Sequence, residues 1–599
     1  MCSFSISAVF SNNAQISVDY QFRLIRIGDA GVTWIENTIL QEIEGEPLIP
    51  YYPASILLPQ GTEAKDITVD TTTPIVQRGI EIQWGQPPCT FSDTPKEEKV
   101  KRNEKIYTSD DLYPGTLYEV IGVDSFRGYN ILNIHLFPLQ YQPKSSMIHF
   151  YEKFTVNVEL KSGPVDELYR GLEDDRNDVA LIVDNPADLD MYSEKRDITP
   201  IQPKEYIIIT SSTLESTFQT LADHKAAFVN GAAVYKTNWI YSGYPGDDNQ
   251  EKIRNFIKYM YINRNTKYVL LGGDTSIVPY RGFYVTAGSH TDYDMAADMY
   301  YAHLNGTFND DGDNRWAEPG EVDWYAEVAV GRAPVDNISE AQAFVDKVIA
   351  YEKASKPTRI CFHQSRVRPD NSPDSRCLAW NCDNYVPSGW TIDYVFEEEG
   401  TVTKADWRNA WSAGPIAVFH IGHGSPTGYD INMEVCGKKE PPDSEDSEPC
   451  PIYWNNTDVS SLTNTFFPWT TSVACSSGQF EANDCLAEKY VKDDHGAIGA
   501  IYNDNYGWFS LSNACKYSGE FCEMESKAFF LNGKEKLGDM LNIARSYMVS
   551  SAQSNPTYRW CFYQRNLIGD PESPCLTKRW SPLPPLPPCP PALVEFSPI

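Results

Sequence analysis

From residue 205 onward the chain alternates short apolar runs with amphipathic stretches, and that order leaves few folds open. EYIIIT, AAVYKTNWI, KYVLLGGD and EVAVGRA are strand-like. Between them lie LESTFQTLADHKAAFVNG, which stops at a glycine, and DDNQEKIRNFIKYMYINR, with acids in its first turn; SEAQAFVDKVIAYEKAS follows. Strands separated by helix-length segments cannot pair as hairpins. They cross over and form a parallel sheet with helices on its faces. A second unit of the same kind is predicted over 366–577, with strands TIDYVF, PIAVFHIG, TTSVAC and AIGAIY. The first unit takes 205–365.

Residues 1–160 read differently. FSISAVF, AQISVDYQFRLIRI, GIEIQW, LYEVIGVDSF, YNILNIHLFPLQY and KFTVNVEL alternate apolar and polar residues and are rich in β-branched and aromatic types. An all-β domain, sandwich or barrel, is predicted. Residues 161–204 are charged, contain prolines and lack a period, so an exposed linker is expected there, carrying Arg170, Arg176, Lys195 and Arg196. Residues 578–599 are a proline-rich extended segment, a tether to something further.

With 82 acidic and 50 basic side chains the formal net charge is -32, which repels nucleic acid and attracts cationic substrates. No apolar run reaches the ~18–20 residues of a membrane span. Fourteen cysteines, several close together (Cys377 and Cys382, Cys436 and Cys450, Cys515 and Cys522), fit disulfides in an oxidising compartment. Asn305, Asn337 and Asn455 begin glycosylation triplets. A secreted protein is the expectation, although MCSFSISAVFSNN lacks the pattern of a leader.

Two segments carry the chemistry. Pro415–Ser425 reads PIAVFHIGHGS and Thr470–Gly478 reads TTSVACSSG. Each is an apolar strand that ends in a reactive residue followed by small ones. In open α/β sheets reactive groups gather beyond the carboxyl ends of strands, so His423 and Cys475 are expected to share one crevice. A thiol ionises near neutrality, and an imidazole can take its proton or protonate a leaving amine. The N–H groups of Gly424 and Cys475 are the candidate oxyanion hole. His420 lies inside its strand and reads as packed; Cys485 reads as structural. Oxygen ligands crowd the run from Asn309 to Glu318, and Asp311, Asp313 and Glu318 are candidate ligands for a structural Ca2+. No zinc or nucleotide motif is present.

These segments resemble the gingipain-type cysteine peptidases. The likeness includes YIIIT, KYVLLGGDTSIVPYR, DMYYAHLNGTFNDDGDNRWAE, EVAVGRAPV, the HGS and ACSSG segments and Gly569-Asp570-Pro571; YPGTLYEVIGVDSFRGYNILNIHLFPLQYQP resembles that family's prodomain. The resemblance implies a caspase-like catalytic unit of two adjacent α/β subdomains with mainly parallel sheets, with Cys475 as nucleophile and His423 as base. The prodomain would act as inhibitor until the 161–204 linker is cut. It also implies Glu327 as the acid orienting His423, Glu340 as the base of a pocket for Arg or Lys, Trp508 as an aromatic lining that pocket, and calcium stabilisation. The predicted function is a secreted cysteine endopeptidase zymogen acting on proteins or peptides through an acyl-enzyme. The rivals are a transpeptidase of the same family, which would ligate an added amine, and an idle binding module.

Overall fold

A computed structural model describes residues 14–27, 33–92, 100–193, 202–368, 371–433, 452–482 and 484–574. The initial residues, Lys195, Arg196, Cys436, Cys450 and the proline-rich end lie outside these.

The N-terminal part is all-β apart from one short helix. Gln15–Gln21, Lys153–Ser162 and Thr62–Thr71 form one antiparallel sheet. Ile39–Gln41, Ile49–Leu57, Tyr129–Leu136 and Tyr118–Phe126 form a second, and Ile75–Arg78, Met147–Phe150 and Leu139–Gln142 a third. Gln15–Gln21 shows why: Ile16, Val18 and Tyr20 point inward while their neighbours face water. These side chains close a core of their own with Ile49, Ile56, Ile134, Val156 and Val158. The predicted strand GIEIQW forms one isolated bridge, at Trp84, with a second just past it at Gly85.

The expected exposed linker is largely packed. Residues 173–180 form a helix, and Leu168, Tyr169, Leu189 and Tyr192 are buried. Arg170 is buried as well, its guanidinium on Asp175 (2.6 Å), while Arg127 reaches Asp178 (2.6 Å) and Asp175. Apolar side chains at 168, 169, 189 and 192 are what turn a charged stretch into a strap.

Ten strands make the large sheet. In chain order they are β1 (Tyr206–Thr210), β2 (Ala232–Lys236), β3 (Tyr268–Gly272), β4 (Ala329–Ala333), β5 (Arg359–Gln364), β6 (Thr391–Phe396), β7 (Ala417–Ile421), β8 (Trp469–Ser472), β9 (Gly499–Asn503) and β10 (Arg565–Gly569). Their spatial order is β2-β1-β3-β4-β10-β9-β8-β7-β5-β6. The two predicted α/β units are thus halves of one continuous sheet. Each half is parallel within itself; β10 sits at the seam, antiparallel to β9 and bridged to β4 through Arg332 and Ile568. Every residue of β1, β3, β4 and β7–β10 is buried, as the continuous apolar runs demand. The predicted strand AAVYKTNWI ends at Lys236, and Thr237–Gly243 is helical. The cation Lys225 is wholly buried under the first half, among Asp570 (2.5 Å), Glu572 (2.7 Å) and Glu352, so Gly569-Asp570-Pro571 serves the core.

Among the described residues there is one disulfide, Cys377–Cys515; Cys361, Cys382, Cys485, Cys522 and Cys561 are buried thiols. The short-range pairings suggested by cysteine spacing are not made there. No described helix is long and apolar enough to cross a membrane.

Candidate active site

β7 and β8 are neighbours in the sheet, and His420 stands opposite Ser472. Each chain then runs on three residues, to His423 and to Cys475, so both side chains leave the sheet at the same level. His420 is packed as expected: its nitrogens meet Ser472 Oγ (2.9 Å) and the Asp430 carbonyl (2.8 Å), and burial drives its pKa down to about 3. Beyond His423 the chain folds back as a hairpin, Gly424 opposite Tyr429. Gly424 lies so close to the Cys475 loop that a Cβ there would sit 2.7 Å from the Ala474 Cβ and 3.0 Å from the Cys475 carbonyl oxygen. The two loops are in contact because residue 424 has no side chain.

Cys475 is 1% exposed and receives the Gly507 N–H on its sulfur at 3.2 Å. Its strand is braced from beneath. Arg565, fully buried, donates to the Ser472 carbonyl and to Asn503 and is neutralised by Glu525 at 2.7 Å; Asn503 in turn donates to the Val473 carbonyl. His423 Nε2 lies 2.9 Å from the Val367 carbonyl, just beyond β5. Three adjacent strands, β8, β7 and β5, therefore deliver a thiol, an imidazole and a carbonyl that fixes the imidazole's orientation. The carbonyl carries no residue-type signal, so sequence reasoning had no means of finding it.

The predicted orienting acid is elsewhere. Glu327 accepts N–H bonds from Leu304 (2.7 Å) and Arg127 (3.4 Å), not from His423. It precedes β4, which lies four strands from β7, about 19 Å at ~4.8 Å per strand. Burial pushes its pKa up to about 7. Glu340 sits in the first turn of the helix Ile338–Lys353, accepts from the Asp336 N–H and Asn337 Nδ2, and pairs with Lys492 at 3.1 Å. Its charge is already answered. The glycosylation candidates Asn337 and Asn455 spend their side chains as helix N-caps. Asp311, Asp313 and Glu318 do converge, one oxygen from each lying within 4.8 Å of the others, beside Arg315.

Trp508 is buried next to Gly507, whose N–H meets Cys475, and its strand receives a guest. Pro88–Thr90 of the N-terminal domain pairs antiparallel with Trp508–Ser510. Phe91 extends this ladder through its N–H to the Gly507 carbonyl (2.9 Å), and the Phe91 carbonyl contacts His423 Nδ1. Carbonyl oxygens only accept, so a ring nitrogen of His423 that bonds one of them does so as a donor.

The family model of peptidase family C25 matches residues 199–575, and that of the C25 propeptide matches 31–171. Gingipain R1 of Porphyromonas gingivalis is 21% identical over 478 residues, covering 77% of this chain and 42% of the relative. A second gingipain R1 of that species is 21% identical and covered to 25% of its length. The chain thus spans less than half of these curated relatives. Among solved structures, the Arg-specific cysteine proteinase gingipain R aligns with a TM-score of 0.46 at 18% identity, over 63% of this chain and 80% of the other. A complex of the Porphyromonas gingivalis RgpB pro- and mature domains aligns with a TM-score of 0.45 at 18% identity, over 62% and 79%. The peptidase match covers most of the chain, including both halves of the sheet, His423 and Cys475: this chain belongs to peptidase family C25, with a C25 propeptide region ahead of the peptidase region.

Proposed function

We propose that the chain is a cysteine endopeptidase described here in its latent, zymogen form. The observation that carries this reading is the shared level of His423 and Cys475 on adjacent strands, with a strand of the propeptide region laid across them. In the freed enzyme the Cys475 thiolate attacks a peptide carbonyl. The N–H groups of Gly424 and Cys475 stabilise the resulting oxyanion. His423, oriented by the Val367 carbonyl, protonates the departing amine, and water releases the acyl group from the sulfur. Activation needs a cut between the two regions and loss of the propeptide strand. An extracellular setting belongs to the same proposal, in keeping with the disulfide Cys377–Cys515. So does a structural Ca2+ held by the hard oxygens of Asp311, Asp313 and Glu318.

The test is hydrolysis of a protein substrate by wild type, Cys475→Ala and His423→Ala, each cut in the linker and separated from its propeptide. Each substitution is expected to cost about 10³-fold or more. Activity retained by Cys475→Ala refutes the assignment. Ligation of an added amine in preference to hydrolysis would mark a transpeptidase.

A further inference from the structure

The way the propeptide strand occupies the cleft says which side chain the enzyme accepts before the cut. We propose that the specificity pocket takes a large apolar residue, phenylalanine above all, and not arginine or lysine. This deepens the peptidase reading and rests on it.

Extended peptides are recognised by adding a strand to an exposed edge, with the backbone supplying affinity and pockets supplying specificity. Pro88, Cys89 and Thr90 are added in this manner opposite Ser510, Phe509 and Trp508. One step further, Phe91 gives its N–H to Gly507 and brings its carbonyl to His423. It is therefore the residue whose carbonyl reaches the catalytic pair, the position a substrate fills on the N-terminal side of the scissile bond. Its carbonyl is drawn to the imidazole, which occupies the base and keeps the bond uncut.

The ring of Phe91 is wholly buried. It packs at 4.9 Å on the ring of Phe509 and lies 6.4 Å, edge-on, from the imidazole of His423. Its floor is Gly507: a Cβ there would meet Phe91 Cδ2 at 3.0 Å and the Val473 carbonyl oxygen at 1.9 Å. These walls are aromatic and backbone. Aromatic pairs at such spacings add to simple burial. A guanidinium in this place would be stripped of water beside Phe509 and an imidazole, while Glu340, the acid expected to meet it, is tied to Lys492 and to its own helix cap.

Two measurements on the protein test this. The enzyme, cut in the linker and separated from its propeptide, is assayed on peptides differing only in the residue before the cut: Phe, Leu, Arg, Lys or Glu. The Phe peptide is expected to exceed the Arg and Lys peptides about tenfold or more in kcat/KM. In the uncut chain, labelling of Cys475 by a thiol-directed probe is timed in Phe91→Leu, Phe91→Ala and Phe91→Arg. Phe91→Leu is expected to stay close to wild type. Phe91→Arg and Phe91→Ala should label about tenfold or more faster, with unchanged thermal melting showing that the fold has survived. Preference for Arg or Lys, or a Phe91→Arg chain as slow to label as wild type, overturns the proposal. An enzyme whose Cys475 labels freely yet cuts no peptide of any kind refutes the peptidase reading, and the proposal falls with it.

Discussion

Gly424→Ala separates chemistry from folding at this site. The added Cβ would lie 2.7 Å from the Ala474 Cβ. Carbon atoms rest at about 3.5–4.0 Å, so the histidine hairpin must retreat by about 1 Å from the nucleophile loop. Oxyanion donors act at about 2.7–3.1 Å, and losing one costs about 10²–10³ in rate, or about 2.7–4 kcal/mol of transition-state stabilisation. Overpacking of this kind costs the fold about 1–3 kcal/mol. For the ~370 residues of the peptidase region the unfolding entropy is about 0.8 kcal/mol/K, so melting should fall by only a few degrees. The assay is kcat/KM of the variant, cut in the linker and freed of its propeptide, on a peptide the wild type cleaves, set beside its melting temperature and its content of probe-reactive Cys475. Activity within about fivefold of wild type, at full Cys475 reactivity, would show that the Gly424 N–H is not a donor to the oxyanion.

Lys225→Met removes the cation shared by Asp570, Glu572 and Glu352 and leaves Glu572 with Lys536 and Glu352 with His224 alone, a loss of about 3–5 kcal/mol. Proton uptake relieves the repulsion among these acids, so the drop in melting temperature should be deeper at pH 8 than at pH 5; a drop independent of pH would refute the account. Burial holds Glu327 up at about pH 7, above its ordinary value of 4.5. Its contribution is therefore present below pH 4.5 and lost as pH rises through about 7, a change on the order of 3 kcal/mol. Denaturant unfolding of the uncut Cys475→Ala chain should weaken over that interval, and Glu327→Gln should flatten the slope; an unchanged slope counts against it. If Asp311, Asp313 and Glu318 hold Ca2+, chelation lowers the melting temperature of wild type and leaves an Asp311→Asn, Asp313→Asn double variant unmoved.

The sequence disclosed most where one local signal was enough. β1, β3 and β7 are apolar runs between helix-length segments, and alternation marks the N-terminal strands. The nearness of His423 and Cys475 was legible because a strand followed by a reactive residue and small residues places that residue beyond the carboxyl end of a parallel sheet. β5 and β10 were missed for opposite reasons. RICFHQ ends at Gln364, against the boundary drawn at 365, and RNLIG follows a helix with no turn between them. Missing β10 also hid the single sheet, because that strand joins the halves. Glu327 and Glu340 were misplaced because a carboxylate's role depends on its spatial partners: Arg127 lies 200 residues from Glu327, and Lys492 belongs to the other half of the sheet.

The propeptide region is held at separate places, which bears on how latency ends. At the cleft it contributes Pro88–Phe91 and Glu42, which accepts from Ser510 Oγ (2.6 Å); further off, Asp124 accepts from Gln553 (2.8 Å). Tyr51 meets Ser551 at 2.8 Å, and the Arg127 N–H reaches Glu327. While the two regions share a chain, a strand that leaves the cleft is returned at the high effective concentration of a tethered partner. Cutting the connection removes that return but leaves the distributed contacts, so a nick alone should yield a non-covalent complex that is still latent. Two of those contacts involve buried acids whose pKa values burial raises, Glu327 to about 7 and Asp124 to about 6. Rising pH charges both inside the interface, so the nicked complex should release its propeptide more readily at pH 8 than at pH 5.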